Sequence, residues 1–228
     1  MGYAEGTIQA VMSAPAALDH LVVAADSLEQ GAAWVEKRLG VAPTGGGRHR
    51  GMGTHNRVLK LGAGCYLEVI AIDPQAPPPV YPRWLGLDDP VRQKQFKTRP
   101  RLVTWVARTP DPDSLAEQVY GRPAQVRPMR RGSLRWRFAF TRDGVLPGDG
   151  LIPHLIQWQT PTHPTENMPE SGCILRGLEG FHPHPEKVLP AIALLGLDDV
   201  ITILAATAHH PPGLRARLQT PHGTVVLD

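Results

Sequence analysis

The chain has 228 residues, of which 42% are hydrophobic and 20% charged, values typical of a folded soluble protein rather than a disordered, collagen-like or coiled-coil chain. Its 23 glycines and 24 prolines interrupt every apolar run before the roughly 18 to 20 residues of a membrane helix, so we expect no membrane partner. The formal charge of +3 is too small to indicate a nucleic-acid partner unless the basic residues cluster.

The cysteines and the N-terminal segment bear on the cellular compartment. Cys65 and Cys173 lie far apart and form neither a CxxC motif nor a disulfide framework, so we expect reduced, buried thiols. The first residues lack the basic start and continuous apolar stretch of a secretory signal, and Gly6 stands where a myristoylation motif requires Ser or Thr. These features predict a cytoplasmic protein.

The first predicted unit begins with a short apolar run, residues 18–25, which indicates a buried strand. A helix follows, with Asp26 or Ser27 as its N-cap and Gly40 as the residue that ends it. A glycine-rich loop is predicted at residues 44–54. Strands 56–61 and 65–72 then form a hairpin around the turn Leu61-Gly62-Ala63-Gly64.

The same order of elements recurs twice more along the chain. After a proline-rich surface connection come a strand at 101–108, a helix that starts near Asp111 and stops at Gly121, and strands at 134–140 and 151–159. A fainter copy follows the polar stretch 160–172. We therefore predict a domain at 15–165 made of two βαβββ modules (18–73 and 101–160), with a third βαβββ-like module at 172–228 packed on it.

Three short motifs carry a family resemblance. The segments Leu18-Asp19-His20-Leu21-Val22-Val23, Gly53-Thr54-His55-Asn56 and Tyr66-Leu67-Glu68-Val69-Ile70 resemble those of glyoxalase-like domain proteins in the vicinal oxygen chelate superfamily (glyoxalase, bleomycin resistance and extradiol dioxygenase proteins). The resemblance implies an α+β fold in which tandem βαβββ modules form a curved mixed β-sheet, a half-barrel with flanking helices. It is close over residues 18–73 and weaker towards the C-terminus.

In that superfamily the concave face of the sheet holds a divalent metal, with ligands from the first and last strand of each module. The resemblance therefore implies His20 and Glu68 as ligands from the first module, with Glu68 also catalytic. Placing Asp111 opposite Asp26 puts Trp105 opposite His20, where it cannot ligate, and puts Gln157 opposite Glu68. A set of His20, Glu68 and Gln157 would suit Zn, Ni, Mn or Fe, which could polarise substrate oxygens.

The residues support His20 and Glu68 independently of the resemblance. An imidazole in an apolar strand is costly to bury unless its nitrogens find partners, and a lone buried carboxylate is costlier still. If the two share one concave face, they are either joint ligands or a hydrogen-bonded pair.

Polar residues of the glycine-rich loop are the next candidates. Arg48, His49, His55 and Asn56 could bind an acidic substrate end, while the alternative is a solvated approach to a hairpin. The glycines open no helix and no Gly-Lys-Ser/Thr follows them, so this is not a phosphate-binding P-loop. Because His55 and Asn56 are adjacent in a strand, only one of them should face the pocket.

A basic cluster could suggest nucleic acid: Arg127, Arg130, Arg131, Arg135 and Arg137. However, Arg135 and Arg137 alternate with Trp136 and Phe138, which is typical of a half-buried strand with its arginines outward. We therefore expect no nucleic-acid partner, and we expect most other histidines at the surface.

Two functions remain open from the sequence. One is a metal-dependent lyase, isomerase or dioxygenase that acts on a small polar organic molecule, with Trp105 as an aromatic wall. The other is a metal-free binding or sequestering protein in which His20 pairs with Glu68. No nucleotide cofactor is expected, and the third module could pair across a homodimer.

Overall fold

The computed structural model describes residues 16–228. Residues 1–15, which carry the expectations about a signal peptide and a myristoylation motif, lie outside this range. Within it the strands are β1 (Ala17–Ala24), β2 (Thr44–His49), β3 (Thr54–Lys60), β4 (Tyr66–Ile72), β5 (Arg101–Arg108), β6 (Ala124–Arg131), β7 (Leu134–Thr141), β8 (His154–Trp158), β9 (Ile174–His182), β10 (Thr202–Ala205), β11 (Gly213–Thr220) and β12 (Gly223–Leu227). The α-helices are α1 (Leu28–Leu39), α2 (Pro90–Thr98), α3 (Pro112–Tyr120) and α4 (Leu189–Leu194).

Eight strands form one curled mixed sheet in the order β2-β3-β4-β1-β5-β8-β7-β6. The first strand of each module pairs in parallel with the last strand of the same module, β1 with β4 and β5 with β8. β1 and β5 pair antiparallel at the centre and join the two modules. This is the predicted α+β half-barrel, and the fold prediction is confirmed. We refer to the concave side of this sheet as the cup.

Two apolar clusters separate the faces of the sheet. The first lies on the convex side, where α1 and α3 bury the apolar stripes that include Val35 and Val119. The second fills much of the cup and includes Trp136 and Phe138 from β7. The inter-module segment joins it through Trp84, Leu85 and Leu87, whereas its proline-rich part, residues 74–82, lies largely at the surface as expected.

Three elements lie at positions for which the sequence predicted no helix or strand. The glycine-rich stretch forms β2, an edge strand. Its three successive glycines have positive φ and shift the register, but Arg48 and His49 after them pair regularly with β3. β6 is also an edge strand, and it contains Pro128. α2 starts with Pro90 after the capping carboxylate of Asp89, but it buries only Phe96 and so lacks an apolar stripe.

The C-terminal part forms a second sheet in the order β10-β9-β11-β12. Its order of elements repeats that of the modules, but its first strand, β9, pairs in parallel with its second strand, β10, and not with its last. Leu178, Leu214 and Leu218 from this sheet join the convex-side cluster. Cys173 is buried and Cys65 only half-buried, and both are free thiols. Among residues 16–228, no helix is both long and apolar enough to cross a bilayer.

Candidate functional site

A β-bulge in β1 places two polar side chains side by side. Leu18 pairs with Ala107 and His20 with Val106, so Asp19 is left over in the ladder. Asp19 is fully buried and accepts hydrogen bonds from His20 Nδ1 at 2.6 Å, Trp158 Nε1 at 2.8 Å and His163 Nε2 at 3.0 Å. The carboxylate therefore orients His20, whose other nitrogen points away from it.

Glu68, on the neighbouring strand β4, faces that nitrogen. Its Oε2 lies 3.5 Å from His20 Nε2, and its Oε1 accepts a hydrogen bond from Asn56 Nδ2 at 2.5 Å. Asn56 Oδ1 in turn accepts from the Gly47 amide at 3.0 Å and from Arg131 at 2.8 Å. A chain of hydrogen bonds and ion pairs therefore runs from Asp19 to Arg131 and joins the two modules.

The charge of the pair follows from these contacts. Burial alone would lower the pKa of His20, but hydrogen bonds to Asp19 and Glu68 outweigh burial and raise it to about 9. Burial would likewise raise the pKa of Glu68, but the interactions with His20 and Asn56 bring it to about 2. The same competition holds the pKa of Asp19 well below its usual range through His163 and His20. At neutral pH the site holds an imidazolium between two carboxylates.

His49 lies beside the pair in a different state. Burial lowers the pKa of His49 to about 4, so the ring is neutral. Its Nδ1 is 3.0 Å from Thr54 Oγ1, and its Nε2 is 3.9 Å from Glu68 Oε1. The ring meets Trp84 edge-on at 5.1 Å. His49 can thus offer a lone pair or a donor to whatever contacts Glu68.

The second module places other residues at the positions of His20 and Glu68. Ser27 caps α1 and Asp111 caps α3. His20 lies seven residues before Ser27, and Thr104 lies seven residues before Asp111, so Thr104 is the counterpart of His20. Val22 pairs with Glu68, and the corresponding Val106 pairs with His154. The expectation that Trp105 stands opposite His20 is therefore wrong by one residue. Trp105 lies in the convex-side cluster and donates to Leu151 O at 2.8 Å, so it lines no part of the cup.

Gln157 also lies outside the cup. It alternates with Ile156 and Trp158, which face inwards, and its amide bonds to Pro110 O and Arg137 on the opposite face of the sheet. The expected ligand set of His20, Glu68 and Gln157 is therefore not formed, because side chains alternate between the two faces of a strand and the neighbours of Gln157 occupy the cup face. His154 has the inward position instead and stacks on Phe138 at 5.7 Å.

The four predicted substrate-binding residues of β2 and β3 divide between two faces. His49 and Asn56 reach the cup. His55 lies on the other face, as the alternation predicts, beside Asp73 and Phe96. Arg48 is exposed and pairs with Asp73 at 2.9 Å. The alternating pattern in β7 has Trp136 and Phe138 inward as expected, but Arg131 of the basic cluster turns to Asn56.

The space left in the cup is small. A cavity of about 30 Å³, enough for about one water molecule, lies against the His20 and Glu68 pair. Aromatic and apolar side chains form its walls: Tyr66, Trp84, Leu85, Trp136, Phe138, Ile156 and Trp158. A larger cleft of about 800 Å³ opens on the outside of Arg131, between β2 and β3, the β6–β7 turn and residues 164–171. Arg131 lines both spaces and so stands between them.

The residues present do not fit the divalent metal that the fold implies. Within residues 16–228, no group of three or more His, Cys, Asp or Glu side chains is arranged to hold a metal ion. The first module offers an imidazole whose free nitrogen carries a proton directed at Glu68. The second module offers a hydroxyl, Thr104, and His154, whose Nε2 is buried without a partner in the described chain.

Sequence reasoning missed three residues that hold the site together. Asp19 stood next to His20 in an apolar run, and the same argument against a lone buried charge applied to it. Trp158 and His163 bind its second oxygen, but they come from the distant end of the second module. No local pattern signals such a contact.

Comparisons with known proteins agree with this architecture. The model of the glyoxalase-like domain family matches residues 18–196. A hypothetical protein from Staphylococcus aureus shares the fold with a TM-score of 0.52 and 12% identity, over 92% of this chain and 84% of that chain. Methylmalonyl-CoA epimerase from Mycobacterium tuberculosis is similar with a TM-score of 0.40 and 18% identity over 66% of this chain and 92% of that chain. No curated protein matches the sequence.

Proposed function

The chain belongs to the glyoxalase-like domain family of the vicinal oxygen chelate superfamily, and on that premise we propose that it binds a small organic acid in the cleft outside Arg131, with one polar group of the acid reaching the cup. The observation that carries the proposal is the buried His20 and Glu68 pair at an aromatic-walled cavity. Burying an imidazolium and two carboxylates is expensive, and burial at the floor of a cavity makes sense if a ligand uses them. This is the metal-free form of the function predicted from the sequence.

The acidic character of the ligand follows from Arg131. Within the described residues its guanidinium meets only the amide oxygen of Asn56 and no carboxylate. A ligand carboxylate beside Arg131, between the outer cleft and the cup, would supply the negative charge that Arg131 lacks. A guanidinium binds carboxylates through two parallel hydrogen bonds. The 800 Å³ cleft outside Arg131 would hold the body of the ligand, and only a small polar group would reach the inner cavity.

His20 and Glu68 would recognise that polar group. An imidazolium N–H donates and a carboxylate accepts, so the pair suits a hydroxyl or an enolisable carbonyl, and it could also exchange a proton with it. His49 and Asn56 flank the pair and would fix the orientation of the group.

Tryptophan fluorescence tests the proposal, because Trp84, Trp136 and Trp158 line the inner cavity. We would titrate the protein with a panel of aliphatic, aromatic and 2-oxo carboxylic acids and with the amide of each acid. We expect at least one acid to change the emission while its amide binds at least about tenfold more weakly. Arg131→Gln should abolish the difference between acid and amide, whereas Arg135→Gln, an exposed arginine on the neighbouring strand, should leave it unchanged. Equal behaviour of the two variants would contradict the proposal.

A metal-dependent enzyme is the second candidate, favoured by one observation although the described residues form no complete ligand set. The Asp19 carboxylate holds His20 by one nitrogen, as carboxylates commonly hold the histidines that bind metals. Elemental analysis after incubation with Zn²⁺, Ni²⁺, Mn²⁺ and Fe²⁺ separates the candidates. Stoichiometric uptake that is lost in both His20→Ala and Glu68→Ala would support the enzyme, whereas no uptake at saturation would support metal-free binding.

A further inference from the structure

A second cavity, of about 300 Å³, lies where α2, the start of β5 and the C-terminal sheet meet. It shares no lining residue with the cup cavity. Apolar side chains form much of its wall: Val91, Leu102, Val103, Leu151, Phe181, Pro212 and Leu214. Its polar lining includes two arginines, Arg92 and Arg101, which no part of the proposed function uses.

Both guanidiniums have fewer close partners than burial normally requires. Arg101 Nε is buried without a hydrogen-bond partner, and no carboxylate within residues 16–228 forms an ion pair with this side chain. Arg92 is half-buried, and its nearest carboxylate oxygen, on Asp89, is 3.7 Å from its Nε. Each guanidinium has five N–H donors, so both keep donors available for a ligand in the cavity that they line.

The two arginines lie close enough to interact electrostatically. Burial lowers the pKa of Arg92, and the positive charge of Arg101 lowers it further, against the opposing effect of Asp89 and Asp149. A third guanidinium, Arg215, lies over the ring of Phe181 at 4.9 Å and adds positive charge behind the cavity wall.

The two carboxylates in the lining, Asp89 and Asp149, satisfy only a small part of the donor capacity of the arginines. Asp89 caps α2 by accepting from the backbone amide of Val91 at 2.8 Å. Asp149 is largely exposed, and its Oδ2 lies 3.3 Å from His182 Nε2. Asp89 therefore offers Arg92 one oxygen at 3.7 Å, and neither carboxylate forms an ion pair with Arg101, so both guanidiniums keep N–H donors free for the oxygens of a ligand.

We propose that this cavity is a binding site for a dianionic oxyanion group, a phosphate ester or a dicarboxylate, held by Arg92 and Arg101. Two guanidinium forks can bind such a group with parallel hydrogen bonds, which a pair of lysines could not do. The apolar walls would take the organic part of the molecule, and 300 Å³ is at the lower end of the size of small-molecule sites.

Thermal unfolding with inorganic phosphate and with succinate tests this proposal. Each is added to the full-length protein at concentrations up to about 20 mM, against sodium chloride of equal ionic strength. We expect at least one dianion to raise the unfolding temperature above the chloride control. Phosphate alone would identify a phosphate ester as the ligand class, and succinate alone a dicarboxylate.

Variants connect the effect to the cavity. Arg101→Gln and Arg92→Gln should each weaken dianion binding at least about tenfold, whereas Lys94→Gln, the same change of charge on the exposed side of α2, should not. If a glutamine variant does not fold, Arg101→Lys keeps the charge without the fork and should still bind several-fold more weakly. The proposal is overturned if neither dianion stabilises the protein beyond chloride, or if the Arg101 variants respond like wild type.

Discussion

The two βαβββ modules share their backbone geometry and differ in their chemistry. Each has a bulge in its first strand, at Asp19 in β1 and at Val103 in β5, and each bulge precedes the residue that faces the centre of the cup. In the first module those two residues are Asp19 and His20. In the second they are Val103 and Thr104. The last strands add Glu68 to the first module and the neutral His154 to the second.

This comparison separates what the fold dictates from what the residues add. The bulges and the parallel pairing of first and last strands are common to both halves, so they belong to the architecture. The buried charges belong to the first module alone. The second module contributes an aromatic wall through Trp136, Phe138 and Trp158, together with Arg131 at the entrance.

The largest expected difference between the modules is in stability. Glu68→Ala leaves the His20 imidazolium and the Asn56 amide without their acceptor in a buried site, which should cost about 3 to 5 kcal/mol of unfolding free energy. Thr104→Val, a change of similar shape at the buried counterpart of His20, should cost no more than about 1 kcal/mol. Urea unfolding at pH 7 measures both. Similar losses in the two variants would show that the modules are energetically equivalent after all.

The two histidines at the centre of the cup, His154 of the second module and His20 of the first, should respond to opposite ends of the pH range. The pKa of His154 is lowered to about 4 by burial, so the unfolded chain takes up its proton first, and stability present above pH 6.5 is lost as the pH falls towards 4. The pKa of His20 is raised to about 9, so its contribution is complete below pH 6.5 and disappears as the pH rises through 9.

His154→Phe tests the acidic side of this pH response. The variant should remove roughly 2 to 3 kcal/mol of the stability lost between pH 6.5 and 4, measured as urea midpoints at several pH values. His49, whose pKa is also about 4, would account for acid sensitivity that remains. An unchanged pH profile in His154→Phe would mean that this histidine is not buried in its neutral form.

A smaller effect should follow from exchanging the bulge residue. Asp19→Asn keeps the shape but removes the charge that holds the proton on His20, so the proton affinity of His20 should fall at least about tenfold. Val103→Ala, at the matching bulge, should leave that affinity unchanged. The imidazole signals of His20 in an NMR pH titration report it, and equal titration curves for the two variants would contradict the role of Asp19.

The smallest effect is expected at Gln157. Because its side chain lies on the convex face with Pro110 and Arg137, Gln157→Ala should change stability by less than about 1 kcal/mol and leave acid binding in the cup unaltered. Fluorescence titration with the best acid of the panel measures this. Weaker acid binding in Gln157→Ala would show that Gln157 takes part in ligand binding and would contradict its placement on the convex face.

Much of the first module was predictable because its polar residues interrupt apolar strands. His20 and Glu68 stood out as groups that burial penalises, and they do meet. The second module could not be aligned in the same way. The cap of α1 is Ser27 and not Asp26, and this shift of one residue exchanged Thr104 for Trp105 and so exchanged one face of the strand for the other.

The prediction for the last strand of the second module was wrong for a related reason. A tight 3₁₀ turn at Pro147–Gly150 delays the start of β8 to His154, and the apolar run 151–159 gives no sign of it. The predicted alignment was therefore three residues out of register, with Gln157 at the position that His154 occupies. A shift by an odd number of residues moves each side chain to the other face of the strand. Contacts such as that of His163 with Asp19 depend on tertiary structure and have no counterpart in local sequence.

The most direct test of the charged pair is the protonation of His20 at pH 7.5, read from the nitrogen chemical shifts of its ring and assigned with the His20→Ala variant. The structure predicts that both ring nitrogens carry protons, one directed to Asp19 and the other to Glu68. A ring with one bare nitrogen at this pH would contradict the account, because the cup would then hold a neutral imidazole beside two unbalanced carboxylates.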